Sequence, residues 1–348
     1  MSAGIDTYNI QGLEELVAGL GQPRFRAMQL FEWLYGHGAV SYDQMTNLPA
    51  VLREELARVA PLQVPELVDK RISADGTHKY IMQLADGALV ETVGIPNDTQ
   101  DAAEGVGRLS VCVSSQVGCA MACRFCATGQ EGFTRNLTPG EMAWQVLCVA
   151  RDFDMRASNV VIMGQGEPFL NYDAVLSALR ILNHPKGPGI GARHMTLSTC
   201  GITKGIERFS TEDEQFRLAV SLHSAQQNVR NELMPGCASA PLKALKNALL
   251  GYQAQTGRRV SFEYLLIDSV NDGADAQAAL IAYCAGLKAH VNLLPINAVE
   301  GSSYKPATKA RMHEWEQALA AAGVETSIRT SRGADIAGAC GQLKNSRE

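Results

Sequence analysis

Residues 118–129, GCAMACRFCATG, place Cys119, Cys123 and Cys126 within eight positions. Thiolates are soft ligands, and a structural zinc site uses four donors, usually drawn from two separated CxxC-type pairs. Here CxxxCxxC is one compact loop and no second pair follows it. The spacing therefore leaves two chemistries open. One is zinc, completed by a distant cysteine or histidine. The other is an iron–sulfur cube, which also takes four ligands and, held by three thiolates, keeps one iron open to an outside molecule.

The elements around the loop suggest what else converges on it. From about residue 108 strands and helices alternate. The strand candidates are RLSVCVSS, SNVVIMG, HMTLSTC, RLAVSLHS, RVSFEYLLI, HVNLLPIN and ETSIRTS, separated by helical patterns such as PGEMAWQVLCVARDF and YDAVLSALRIL. Repeated βα units imply a parallel sheet, here a full or partial (β/α) barrel, whose chemistry sits at the C-terminal strand ends. Polar residues gather at those ends: Gln165 to Glu167, Ser198, Ser221 with His223, and Asn297. Upstream, LEELVAGL, FRAMQLFEWLY and VLREELARVA carry helical apolar spacing, broken by GQP and YDQMTNLP. HKYIMQLADGALVETVGIP reads as a β-hairpin turning at Asp86-Gly87, and PNDTQDAAEGVG (96–107) as a loop.

The bulk properties bound the class. A chain of 348 residues suggests about two domains, or one large α/β domain with an appendage. The N-terminus lacks the basic and apolar regions of a signal peptide, and no apolar run nears the roughly 20 residues needed to span a bilayer. The reading is cytoplasmic, with no membrane partner. Nine cysteines in such a chain point to metal or redox chemistry rather than a disulfide scaffold. A net charge of −5 gives no electrostatic hint of a nucleic-acid partner.

CxxxCxxC after the first strand of a βα barrel resembles the radical S-adenosylmethionine (SAM) enzymes, and Phe125 matches the aromatic common before the third cysteine. The likeness narrows. VCVSSQVGCAMACRFCATGQEGFTRNLTPGEM, VVIMGQGEPFLNYDAV, AVSLHSA, VNLLPIN and RTSRGADIAGACGQL, with RFRAMQLFEWLY near the start, are similar to the RNA adenosine methyltransferases of the RlmN type. The resemblance implies an α/β fold: a partial (β/α) radical SAM barrel over 108–348, a small N-terminal helical domain for RNA docking over 1–62, and a β-hairpin-containing extension over 63–107. It implies a [4Fe-4S] cluster on Cys119, Cys123 and Cys126, and two SAM molecules per turnover.

The implied reaction methylates C2 of an adenine, a carbon that is neither acidic nor nucleophilic, in 23S rRNA near the peptidyl transferase region and, in some members, in tRNA 3′ of the anticodon. By resemblance Cys340 carries the methyl group, which a SAM-derived radical activates for addition to C2. Cys112 then attacks the Cys340 sulfur to release product, leaving a disulfide, and Glu91 takes the C2 proton. The cofactor contacts implied are Gly166, Glu167 (for the SAM ammonium), Ser198, Ser221, Leu222, His223 and Asn297. Gln165 stands where the family more often has methionine, and STCG where it has STSG or STVG. The residues suit these roles. Cys112 lies seven residues before Cys119 on the same strand-and-loop segment, and Cys340 sits in the small-residue tail IAGACGQL. Arg329 and Arg332 could lower its pKa or grip RNA phosphate. Glu91 points opposite to Val90 and Thr92. Cys148, Cys200, Cys237 and Cys284 read as inert buried thiols.

RNA recognition leaves the weakest trace, with Arg24, Arg26, Trp33, Lys70, Arg71, Arg124 and Arg135 as candidates for a localised basic groove, and the target adenine extruded into the barrel. A monomer served by flavodoxin or ferredoxin as electron donor completes the reading. Two alternatives stand beside it: the C8-methylating sister group, Cfr, and a non-catalytic iron–sulfur or zinc RNA-binding assembly factor. Pure binding requires neither Cys112, Cys340 nor Glu91, which argues against the second.

Overall fold

The computed structural model describes residues 4–97 and 107–344, so most of the loop expected over 96–107 lies outside the described residues. Near the N-terminus the Asn9 side chain accepts from Gly12 N (2.9 Å) and opens α1 (Ile10–Gly19). Then come α2 (Phe25–Phe31), which widens into a π-helical turn over Glu32–Gly36, and α3 (Ala50–Val59). Leu13, Val17, Leu30, Phe31, Leu52 and Leu56 are buried in a core continuous with that of the barrel. Phe31 meets the His184 ring edge-on (4.7 Å), and Arg151 donates to the Gly38 carbonyl (2.7 Å), so the helical unit sits on the barrel flank.

The extension is a three-stranded antiparallel meander, β1 (Glu66–Ile72), β2 (His78–Gln83) and β3 (Leu89–Asn97). The Asp86-Gly87 turn lies between β2 and β3 as expected, with Gly87 at a positive φ of 85°. The outer strand β1, ELVDKRI, was not among the expected strands. Its charged residues mask the alternating pattern, and charge is how an edge strand avoids pairing with another chain.

β4 (Arg108–Cys112) follows, then the small antiparallel pair β5 (Gln116–Gly118) and β6 (Phe133–Asn136), which brackets α4 (Ala127–Glu131). Thr138 and Glu141 form a capping box, with Pro139 at the first helical position, and start α5 (Pro139–Asp152). The remainder alternates: β7 (Ala157–Ile162), α6 (Tyr172–Asn183), β8 (Met195–Thr199), α7 (Thr203–Phe209), β9 (Arg217–Ser221), α8 (Gln227–Leu233), α9 (Leu242–Thr256), β10 (Val260–Leu266), α10 (Ala274–Cys284), β11 (Ala289–Pro295), α11 (Lys309–Ala321) and β12 (Glu325–Ile328). All seven expected barrel strands form. They lie parallel in the order β4-β7-β8-β9-β10-β11-β12, and β12 does not return to pair with β4, so the barrel is partial.

The meander joins this same sheet through β3, which runs antiparallel to β4 with Val93 opposite Cys112. That register decides where Glu91 goes. Two residues before Val93 on an antiparallel neighbour, it passes the end of β4 and lies beside Ser114, whose hydroxyl donates to the Glu91 carbonyl (2.6 Å). The extension thus delivers a carboxylate to the C-terminal end of the barrel.

Candidate active site

The cysteine loop is held by close backbone contacts. Gly118 adopts φ 74°, and a Cβ there would stand 2.0 Å from the Gly132 carbonyl oxygen, which accepts from Cys119 N (2.7 Å). Any side chain would break this crossing. Ala122 also has positive φ (50°), Cys126 N donates to the Cys123 carbonyl (3.1 Å), and Gly236 N donates to the Met121 carbonyl (2.9 Å). The three thiols thereby line one cavity of about 900 Å³, counted with its open mouth.

The donor set fits an iron–sulfur cube. Burial raises all three thiols, Cys119 to about 11, and the charges of Cys126 and Cys119 raise Cys123 further. Three thiolates this close need a cation among them to stay ionised. Among the described residues, no three cysteine, histidine or carboxylate side chains converge on a point suited to a single ion. The three thiols line one cavity, and their donor set suits a cluster held by three thiolates.

The far wall comes from the ends of β7 to β10. Gly166 (φ 104°) crosses Gln116 so tightly that a Cβ would lie 2.6 Å from the Gln116 Cβ. Next to it the buried Glu167 carboxylate accepts from Cys200 N (2.7 Å), Thr199 Oγ1 (2.8 Å) and Phe169 N (3.0 Å). Burial pushes its pKa up while these bonds pull it down. Ser198 and Ser221 line the cavity with hydroxyls 3.5 Å apart. His223 lines it as well. Its Nδ1 accepts from Leu265 N (3.1 Å), and burial drops its pKa to about 3, so the ring is neutral and its proton sits on Nε2. Phe125 meets this ring edge-on at 4.7 Å. Leu222 is fully buried and donates its N–H to the Glu263 carbonyl (3.0 Å), so it serves as packing and backbone. Gln165 does not face the cavity. Its Oε1 accepts from Glu91 N (3.1 Å), which ties the glycine loop to the extension.

The C-terminal tail closes the site. Ala127 N donates to the Gly341 carbonyl (2.7 Å), Thr128 Oγ1 to the Leu343 carbonyl (2.7 Å), and Asn297 Nδ2 to the Cys340 carbonyl (3.1 Å). These bonds set Cys340 on the cavity wall with Cys119, Cys123 and Cys126. Its residue is exposed to the open cavity, yet enough atoms surround the thiol that desolvation, then the Glu263 carboxylate, raise it to about 11, with Arg329 opposing. Cys112 is pushed well up by burial and then by the charge of Cys340. All nine cysteines are free thiols. Lys344 N donates to Glu91 Oε2 (2.9 Å), so the tail reaches the carboxylate too. Glu91 and Lys79 form a buried ion pair (3.1 Å), and burial outweighs Lys79 to bring Glu91 to about 7.

Among the lining residues, the sequence reading passes over Glu263 and takes Cys200 for an inert thiol. Glu263 on β10 accepts from Asn292 Nδ2 (2.8 Å), and its signal was a lone acid inside the apolar run VSFEYLLI. Cys200 lines the cavity with its sulfur 3.2 Å from Met121 Sδ, and Cys237 lies 3.8 Å from the same atom. These two therefore pack beside the cysteine loop, whereas Cys284 packs within the main core and the half-buried Cys148 against it. Several candidate RNA contacts are already committed: Arg135 bridges Asp86 (2.7 Å) and Glu141 (2.8 Å), Lys70 pairs with Asp152 (2.7 Å), Arg24 with Glu14 (2.6 Å), Arg71 with Asp69 (3.1 Å), and Arg124 with Glu232 (3.7 Å). Arg26 donates to Gln29 (2.7 Å), and the Trp33 indole to Asn47 (2.7 Å).

Comparison with known proteins places relatives along the whole chain. Residues 5–62 match the ribosomal RNA large subunit methyltransferase N-terminal domain, and residues 113–273 the radical SAM superfamily. The "Probable dual-specificity RNA methyltransferase RlmN" of Gloeobacter violaceus is 46% identical over 96% of this chain and 94% of its own. The dual-specificity RNA methyltransferase RlmN of Nitratidesulfovibrio vulgaris is 45% identical over 95% and 92%. A crystal structure of a radical SAM methyltransferase from Sphaerobacter thermophilus superposes with a TM-score of 0.92 at 42% identity, covering 99% of this chain and all of that one.

Proposed function

We propose that the cavity is the methyl-transfer site of an RNA adenosine C2-methyltransferase, since the chain belongs to the RlmN family of radical SAM RNA methyltransferases. The protein is an enzyme that acts on RNA and uses a [4Fe-4S] cluster and SAM. When bound, these supply the methyl group and, after one-electron reduction, the radical reactivity that an unactivated aromatic carbon demands.

The chain's own residues then divide the work. Cys119, Cys123 and Cys126 would hold the cluster. Glu167 offers a carboxylate to the SAM ammonium, while Ser198, Ser221 and the neutral His223 offer hydrogen bonds to the ribose and adenine, and the Leu222 backbone packs behind them. Gly166 keeps the wall thin enough for close approach. Asn297 fixes the tail through the Cys340 carbonyl rather than facing the cavity. Cys340 Sγ carries the methyl carbon to adenine C2. Glu91 accepts the proton from C2, and its affinity for a proton near neutrality suits a group that must take one up and give it back. Cys112 Sγ displaces the product from Cys340 Sγ: the carrier's S–C bond breaks as the S–S bond forms, and the freed carbon takes back the proton held by Glu91. The Cys112 proton passes to solvent, and the adduct's one surplus electron returns to the electron-transfer partner, while a two-electron reductant later restores both thiols.

The observation that carries this reading is the tail, which brings Cys340 into the cavity of the three loop cysteines and binds Glu91 through Lys344 N. A non-catalytic cluster protein has no use for that closure. We assign both 23S rRNA and tRNA as substrates, in keeping with the dual specificity in the relatives' names. Flavodoxin or ferredoxin is the class of electron donor. One chain contributes every proposed site residue, so a monomer suffices. Among the described residues no helix is long and apolar enough to cross a membrane, and RNA substrates assign the enzyme to the cytoplasm. Peptide mass spectrometry of anaerobically purified protein tests the reading. Cys340 should carry one added methyl group, and Cys340→Ala should yield no methylated adenosine. An unmodified Cys340 together with an active Cys340→Ala enzyme would overturn it.

A further inference from the structure

At the end of the barrel opposite the cysteine loop, the starts of β9 and β10 and the segment before β8 surround a second cavity, of about 1050 Å³ with its open mouth. Arg193, Arg217, Arg258 and Arg259 line it, and no carboxylate does among the described residues. In a chain of net charge −5, four guanidinium groups around one concavity form a local positive field with nothing inside to balance it.

The backbone explains the clustering. Gly257, in the left-handed region at φ 68°, ends α9 and turns the chain so that Arg258 and Arg259 enter β10 side by side. Arg217 begins β9 next to them. The arginines are only partly spoken for. Arg193 Nε donates to the neutral Gln215 Oε1 (2.5 Å), and Arg259 pairs with Glu325, which stands outside the lining. Arg217 makes no ion pair among the described residues. Arg258 Nη1 is buried, with the Tyr252 hydroxyl as its neighbour. Glu214, an acid whose charge interacts with Arg258, is tied to Arg180 (2.5 Å).

We propose that this cavity binds a phosphate group, held by the forked donors of Arg217 and Arg258 with Arg193 and Arg259 at the rim. A tetrahedral oxyanion with several acceptors matches converging guanidinium groups better than a single carboxylate does. An RNA backbone and a free phosphorylated metabolite present the same chemistry. The RNA source rests on the methyltransferase reading above; the free-anion source stands without it.

Calorimetric titration of the full-length protein with pyrophosphate tests the site, comparing wild type with Arg217→Gln and with Arg193→Gln/Arg217→Gln. Both positions are exposed, so the fold is spared. Arg258→Gln probes the buried contact separately. Saturable binding by wild type should weaken about ten-fold on loss of Arg217, the effect of one charge-assisted contact. In parallel, affinity for a substrate RNA is measured across salt concentrations. A backbone source should make the slope of log K against log salt shallower by about 0.7–0.9 per arginine removed. A slope that stays put while pyrophosphate affinity falls assigns the site to a free phosphoanion. If wild type binds no pyrophosphate and the variants leave the RNA slope unchanged, the proposal is overturned.

Discussion

Lys79→Met isolates the group that sets Glu91's proton affinity. Glu91 stands at about 7 because burial raises it while Lys79, 3.1 Å away and itself buried, lowers it. The gross attraction across 3.1 Å is about 5 kcal/mol at an effective dielectric near 20. Desolvation of the pair offsets much of that, but a net loss of even a quarter raises the Glu91 pKa by about one unit. A base acts only when deprotonated, so the sign is fixed: with Glu91 as the base, the wild-type rate should fall as pH drops through about 7. In Lys79→Met the limb should move to about 8 or above, leaving roughly a tenth of Glu91 ionised at pH 7 instead of half, a rate loss of about five-fold. The assay is single-turnover methylation of RNA by enzyme already carrying its methyl group, run from pH 6 to 9. Recovery at the alkaline end separates a shifted base from a damaged fold, which alkali would not repair. A wild-type profile flat across neutrality, or a variant slow at every pH with an unmoved midpoint, would refute Glu91 as the base and Lys79 as its tuner.

Cys112→Ala should still acquire the Cys340 methyl group and join it to RNA but fail to release it, so a protein–RNA adduct linked through Cys340 should accumulate during expression. Normal turnover with no adduct on denaturing gels would remove Cys112 from the reaction. Gly118→Ala puts a Cβ 2.0 Å from the Gly132 carbonyl oxygen at a φ of 74°. The loop cannot keep this crossing, so iron and acid-labile sulfide should be lost after anaerobic reconstitution. Gly251→Ala is its control: this site in α9 has nothing within 4 Å of the added carbon, and the change should stabilise the helix by about 0.5–1 kcal/mol without touching iron content.

What could be read from the sequence divides along a physical line. Local spacing exposed the three loop cysteines, and alternating strand and helix patterns exposed the seven parallel strands, because both signals are complete within a few residues. β1 escaped because its charges protect an edge, which suppresses the very pattern that marks a strand. Gln165, where the family more often has methionine, has no contact assigned from the sequence. Its buried side chain turns away from the cavity to Glu91 N, a residue 74 positions earlier, a contact no local motif encodes. Glu263 shows the converse, an acid in an apolar strand whose purpose emerges only when the neighbouring strand supplies Asn292. The deepest case is the bond from Lys344 N to Glu91, 253 residues apart. It depends on β3 joining β4 in one register, on the barrel staying open, and on the tail returning across α4 through Gly341 and Leu343. A slip of one residue in the β3–β4 pairing would turn Glu91 to the opposite face of the sheet and break that bond without changing any motif. The reactive groups are thus written locally, whereas their convergence is a property of sheet register. Glu91 and Cys340, proposed as base and methyl carrier, are held together through it.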